Sequence, residues 1–511
     1  MRAISRPRFA AALVAVATFL SFLPALTGGF LTWDDEAYLV ANSEFLSHGW
    51  RDPGWMFSNA IMTVYQPLSW ASYGLDYAFW GMRPFGFHLT NILLHALNAA
   101  LFFWLALRVL ENRKNAVLAA AGAALCFSIH PLRVESVAWV SERRDVLSGT
   151  FFLLTLLAYL KAARTKRKAW LAAAVAAYAA ALLAKTFAVT LPAILVLLDL
   201  HVLRRKIAWL EKLPFVAAAF AASAVALAAQ NASGGALSLE LYGLIPRLCQ
   251  GAFAPGFYIW KTLLPIGLSP MYDYSRLTKP GLYAAGALTT AFCCLAAWRL
   301  RRSRPELAAG WLFFLAVLWP VLGLVKTAEF ATADRYTYLA GLPWALMAGA
   351  ALARRPKTAA AVLIALALLT WRQCGFWNDS VSLWQRAASV DPASSFAHNN
   401  LAYAFERAGR GEDAARERRL GANAPAAAYH ARGEESYVKG DFASAARYFY
   451  LATELQPALP ATQNDLGLAL CRLGRVEEGV KHFEFALKLK PDFADARSNL
   501  EALAAGRPAP R

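Results

Sequence analysis

Eleven apolar runs constrain this chain more than any other feature; they lie near residues 9–31, 88–107, 116–130, 146–160, 169–184, 187–203, 213–230, 281–298, 307–325, 337–353 and 358–373. A run that crosses about 30 Å of hydrocarbon must satisfy its own backbone polar groups there, and a helix does so within one segment. The sequence therefore predicts an all-α fold with a polytopic membrane domain over residues 1–377. Composition agrees: 58% of the 511 residues are hydrophobic and only 17% are charged, too few charges for a soluble protein of this length. The first run follows "MRAISRPRF" and is too long for a signal-peptide core, so it is expected to remain as the first transmembrane helix.

The net charge of +18 falls entirely within residues 1–377, because residues 378–511 carry 17 basic and 17 acidic side chains. Basic clusters separate the apolar runs: "RVLENRKN", "KAARTKRK", "RRKIAWLEK", "RLRRSRPE" and "ARRPK". Together with Arg2, Arg6 and Arg8 they hold 22 of the 35 basic residues of this half, and the positive-inside rule places them in the cytoplasm. Basic residues confined to membrane loops, without a basic aromatic face, argue against a nucleic-acid partner. Eleven spans alternate consistently with this assignment. The segment 249–268, interrupted by Gly, Pro and Lys261, is expected to be re-entrant or interfacial. Residues 32–87, 131–145, 231–280 and 326–336 then face outward, and the C-terminal region emerges on that same side. The six cysteines show no CxxC pair or ligand spacing, so neither a disulfide framework nor a zinc site is expected.

After residue 377 the chain becomes Ala-rich, amphipathic and charge-balanced. Gly433, Ala445, Phe449, Ala452 and Pro457 recur as Gly467, Gly479, Phe483, Ala486 and Pro491, every offset being 34. That period, with small residues where helices cross and Pro at the end, resembles the tetratricopeptide repeat. Clear repeats are expected over 426–459 and 460–493, degenerate ones before them within a domain spanning 378–505, and a disordered tail over 506–511. Such an array offers a groove for a peptide.

Outward segments gather the ionisable residues. "TWDDEAYL" holds Asp34, Asp35 and Glu36, and Thr32 with Asp35 has the spacing of a capping box, so a structural and a chemical reading are both open. "SIHPLRVESVAWVSERRDVLS" holds His130, Arg133, Glu135, Glu142, Arg143, Arg144 and Asp145, a density that is costly at a membrane boundary unless the groups are paired or functional. "KTAEFATADRYTYL" adds Lys326, Glu329, Asp334 and Arg335, while His88 and His95 read as packing histidines. Acids from one loop facing arginines from two others suit transfer from a lipid phosphate. An Asp can take a proton from a hydroxyl, and Arg or Lys can stabilise phosphate charge. A transporter could arrange similar charges along a polar path.

The stretches "FLTWDDEAYLVANSEF", "QPLSWASYGLDYAFWG", "HLTNILLHALN", "HPLRVESVAWVSERRDVLSGTFFLLTLLAYL", "AKTFAVTLPAILVLLDL" and "ADRYTYLAGLP" together resemble the transmembrane and tetratricopeptide-repeat protein O-mannosyltransferases of the GT-C glycosyltransferase superfamily. The resemblance implies a GT-C fold, a polyprenyl-phosphate sugar donor and transfer to a Ser/Thr hydroxyl of a protein on the outer face. It implies Asp34 or Asp35 as the base, and Arg143, Arg144, Arg335 and Lys326 as ligands of the donor phosphate. Glu36, His130, Glu135, Asp145, Asp334 and Tyr336 are expected to support them. No obligatory metal or other cofactor is expected. The Ala/Arg-rich composition reads as bacterial, which points to the cytoplasmic membrane and an undecaprenyl-type carrier. A non-catalytic scaffold that uses its repeats to assemble an envelope complex is the alternative.

Overall fold

The computed structural model describes residues 2–61, 64–232, 244–272, 279–323, 332–421, 424–456 and 459–508. Among these the chain is helical throughout, with two isolated β-bridges, Ile61–Val64 and Tyr272–Thr332. Five helices are long and apolar enough to cross a membrane: Pro84–Val109, Val140–Thr165, Trp209–Ala229, Pro280–Leu300 and Pro356–Gly375. A sixth candidate is the pair Ala116–Ser128 and Pro131–Ala138, bent by 56°. The other predicted apolar runs are helices of 10–17 residues: Pro7–Ser21, Lys168–Ala184, Thr186–Val202, Pro305–Val321 and Leu342–Leu352.

Helix starts follow the prolines. Pro67, Pro84, Pro280, Pro305, Pro356 and Pro460 each stand in the first turn, where a missing N–H costs nothing and the fixed φ suits the helix. Two crossings need small residues. A Cβ on Gly349 would lie 2.1 Å from the backbone of Ala123, and one on Gly256 would lie 2.2 Å from the carbonyl of Gly286. Outward faces are apolar, with Leu210, Phe220, Leu288 and Phe292 all exposed, as lipid-facing helices require. Of the segment 249–268, expected to be re-entrant or interfacial, residues 249–263 belong to one helix, Leu244–Leu263, with Phe253, Phe257 and Tyr258 buried on one face, and this helix is not among those long and apolar enough to cross a membrane.

The first long loop is itself a helical layer. Glu36–Val40, Ser43–Ser47, Gly49–Arg51, Pro53–Ser58 and Pro67–Trp80 pack around Tyr38, Phe45, Trp55, Trp70, Tyr73 and Phe87. The proposed capping box is absent. Thr32 Oγ1 makes no hydrogen bond, and Asp35 reaches the backbone N–H of Leu31 instead of that of Thr32.

Beyond Gly375 the chain forms antiparallel helical hairpins, among them Phe442–Leu455 after Ala424–Val438 and Val476–Leu489 after Pro460–Arg472. A Cβ on Gly433 would meet the ring of Phe449 at 2.6 Å, and one on Gly467 would meet the ring of Phe483 at 2.7 Å, so the repeated residues make the same contact. The earlier helices Ser380–Val390 and Ser395–Arg407 share one hydrophobic core with the apolar helices through Leu383, Trp384, Leu401 and Phe405. Trp33 stacks on Trp139 with centroids 4.2 Å apart and meets the edge of Trp384 at 5.1 Å, tying the first loop to these hairpins.

Candidate functional site

The charged residues of four distant segments converge where the helix Ala116–Ser128 breaks at "SIHPLR". From Pro131 the chain makes two short turns and a helical turn before the helix Arg143–Thr165 begins. Glu135, Glu142, Arg143 and Asp145 are all buried along this path. Buried ions cost several kcal/mol each unless paired and hydrogen-bonded, so their partners define the site.

Glu142 is the hub. It accepts from Arg144 Nε at 3.1 Å and from Lys185 Nζ at 3.0 Å, and Arg335 Nε lies 3.4 Å away. Lys185 also donates to Asp145 at 2.6 Å, and Ser136 Oγ donates to the other oxygen of Asp145 at 2.9 Å. Arg335 is bonded through Nη1 to Glu135, which also accepts the backbone N–H of Arg335 at 2.9 Å. Arg144 Nη2 stands 4.0 Å from Asp34.

The adjacent acids Asp34 and Asp35 have different surroundings. Asp35 is fully buried and accepts from Leu31 N at 3.0 Å, from Ser141 N at 2.8 Å and from the Ser141 hydroxyl. Burial pushes its carboxyl up to about 6 despite those three bonds. Asp34 keeps 16% of its side chain exposed, and no hydrogen bond to its carboxylate is found among the described residues. Burial raises its pKa, with Arg144 and then Arg335 opposing and Glu142 adding to the rise.

Arg143 does not join this network. Its guanidinium binds Asp76 at 2.6 Å, Ser72 Oγ at 2.7 Å, the Phe87 carbonyl at 2.8 Å and the Asn91 side chain. These bonds fix the first-loop helix Pro67–Trp80 to the membrane helix Pro84–Val109 and leave little donor capacity for a ligand. His130 is likewise committed, accepting from Leu132 N at 3.2 Å and bonding the Thr262 carbonyl at 3.1 Å. Asp334 accepts from Tyr272 Oη at 2.8 Å, and burial pushes its carboxyl up to about 6 against the pull of Lys261. Tyr336 stacks on Phe187 at 6.3 Å. Glu36 turns to the hairpins, with Arg407 Nη2 at 3.3 Å and Tyr403 Oη at 3.5 Å. Lys326 lies outside the described residues.

Sequence reasoning missed Lys185 and the central position of Glu142. Lys185 stands alone between apolar runs, in "AKTF", and an isolated Lys there was the available signal. Among the described residues one set could hold a metal ion: His430, Glu434 and Asp465, whose donor atoms lie within 4.8 Å of one another in the C-terminal hairpins.

A half-open carboxylate beside a guanidinium, backed by Lys185 and Arg335, can take a proton from an incoming hydroxyl while nearby cations face an anion. No family model matches the chain. It is similar to protein O-mannosyl-transferase Tmtc1 of Drosophila melanogaster, 31% identical over 180 residues, which are 34% of this chain and 20% of that protein. Human protein O-mannosyl-transferase TMTC1 is 33% identical over 164 residues, 30% of this chain and 18% of the relative. Human TMTC4 is 32% identical over 180 residues, 32% of this chain and 24% of the relative. The chain thus spans about a fifth of the length of these relatives. Among solved structures, ArnT from Cupriavidus metallidurans bound to undecaprenyl phosphate aligns over 94% of this chain and 88% of its own, at 14% identity and a TM-score of 0.39. Over about a third of its length, the chain is similar in sequence to the TMTC protein O-mannosyl-transferases.

Proposed function

We propose that this chain is a GT-C-type glycosyltransferase of the bacterial cytoplasmic membrane. It moves a sugar from a polyprenyl-phosphate donor to a hydroxyl acceptor, a Ser or Thr of a protein, on the extracytoplasmic face. The observation that carries this reading is the contrast between the two acids. Asp35 is consumed in clamping the first loop to Ser141, whereas Asp34 is held beside Arg144 with its oxygens free to meet an acceptor.

In the reaction the acceptor oxygen attacks the anomeric carbon and its proton passes to Asp34. The bond from that carbon to the phosphate oxygen breaks, inverting the configuration and leaving polyprenyl phosphate. Arg144 and Arg335 stabilise the charge that gathers on the departing phosphate, with Lys326 as a further ligand. Lys185 and Glu142 fix the two guanidinium groups, and Arg143 holds the scaffold behind them. The hairpins read as tetratricopeptide repeats on the same side, and Glu36 with Tyr403 and Arg407 brings the first of them to the rim of the site.

The test is purified protein in lipid nanodiscs with a labelled polyprenyl-phosphate sugar and a small hydroxyl acceptor. Acceptor-dependent release of polyprenyl phosphate supports the enzyme. A folded chain that binds envelope partners but releases none is a scaffold.

A further inference from the structure

Among the described residues, Arg133 is a buried cation with no carboxylate partner. It is 2% exposed, at the turn Pro131–Arg133 where the bent membrane segment breaks. The faces of its guanidinium are covered by Phe127 and Tyr338, 5.5 and 5.8 Å from the ring centroids. Ring faces attract the charge but accept none of the in-plane N–H groups, and Nε and Nη1 have no hydrogen-bond partner. The acids that act on Arg133 are engaged elsewhere: Asp334 by Tyr272, and Asp145 by Lys185 and Ser136. Arg143, Arg144 and Arg335, by contrast, each have a carboxylate partner.

Two buried hydroxyls beside Tyr272, the partner of the Asp334 that acts on Arg133, are also unpartnered, Ser269 Oγ and Thr332 Oγ1. Both flank the Tyr272–Asp334 pair, Ser269 through its N–H to Tyr272 Oη at 3.3 Å and Thr332 through its bridge to Tyr272. A native fold rarely buries unsatisfied donors without a reason, and a bound oxyanion is one that satisfies a guanidinium and hydroxyls together. Exposed apolar side chains adjoin the turn that carries Arg133. His130 bonds the carbonyl of Thr262, after which Leu263, Leu264 and Ile266 are exposed by 73%, 66% and 65%. An anion at the head of a long hydrocarbon matches both features.

We propose that Arg133, with Ser269 and Thr332, forms a buried oxyanion pocket that takes the phosphate of the polyprenyl-phosphate donor. The placement rests on the glycosyl-transfer reading above and adds Arg133 to the donor-phosphate ligands Arg144 and Arg335, in the part that the resemblance implied for Arg143.

The experiment titrates undecaprenyl phosphate into the full chain in nanodiscs and reads binding by native mass spectrometry. Undecaprenol, which lacks the phosphate, and inorganic phosphate are run beside it. Arg133→Met should weaken undecaprenyl phosphate by about tenfold or more, the loss of a charge-assisted pair, while undecaprenol binding stays unchanged. Arg133→Lys should restore part of it, and Ser269→Ala with Thr332→Val should weaken it independently. Because the cation is unpaired without ligand, Arg133→Met should also raise the melting temperature of the ligand-free chain; a purely structural arginine would lower it. Wild-type affinity for undecaprenyl phosphate in both Arg133→Met and the double variant overturns the pocket and leaves the transferase reading standing. Arg133-dependent binding of inorganic phosphate alone also overturns it. A wild-type chain that transfers sugar without binding undecaprenyl phosphate overturns the lipid assignment, whereas one that does neither overturns the transferase reading itself.

Discussion

Asp35 Oδ1 accepts the backbone N–H of Ser141 at 2.8 Å, across 106 residues of chain. This one carboxylate joins the first loop to the turn that carries Glu142 and Arg144, and thereby sets where Asp34 stands. Asp35→Ala orphans the N–H groups of Leu31 and Ser141, at about 1–3 kcal/mol each. The expected result is a clear fall in melting temperature together with lower transfer by the chains that remain folded. Unchanged stability would show that the clamp is dispensable.

Arg143 is expected to matter for folding before it matters for chemistry. Arg143→Met leaves Asp76 as a buried charge without its cation, a loss of about 3–5 kcal/mol. Pairing it with Asp76→Leu should recover a large part of that stability, read as a double-mutant cycle in thermal melts. A normal melting temperature with lost donor binding would return Arg143 to the phosphate site.

The hairpins should not be removable without damage to the first loop. Trp384 meets Trp33, which stacks on Trp139, so Trp384→Ala is expected to cost about 3–5 kcal/mol and to reduce transfer even to a small acceptor. Truncation after residue 384 should expose the same core. Full activity in the truncated chain would show that the hairpins serve only acceptor capture.

Stability and activity should move in opposite directions as pH falls. Asp35 titrates near 6 when folded against an ordinary value of 3.8, so between those values the folded chain holds a proton that the unfolded chain has lost. Its stabilising contribution is complete below about 4 and disappears as pH rises through about 6. In Asp35→Asn this part of the pH slope should vanish, as measured by chemical denaturation at several pH values. Transfer should instead fail on the acid side, with a midpoint above 3.8, because burial raises Asp34 and its protonated form cannot act as a base.

Helix positions were legible in the sequence because apolar length and flanking basic clusters are local signals, and among the described residues every predicted run contains a helix, though five of these helices have only 10–17 residues. The convergence of Asp34, Glu142, Arg144 and Arg335 was legible only as residues facing one side. The pairings that sort them, Arg143 with Asp76 and Lys185 with Glu142, join positions 67 and 43 residues apart and leave no local pattern. "TWDDEAYL" misled in one respect: the Thr32–Asp35 spacing fits a capping box, but Asp35 has a stronger competitor in Ser141. The repeat period of 34 was readable, whereas the docking of the first hairpin on Trp33 was not, since Trp384 is one indole among 17 tryptophans.

The most direct test of the account is the rate of sugar transfer from a polyprenyl-phosphate donor by Asp34→Asn, in nanodiscs where its melting temperature matches wild type. A general base contributes roughly 10²–10⁴-fold, so the account predicts a loss of about that size in kcat with donor binding retained. Transfer at the wild-type rate would contradict it.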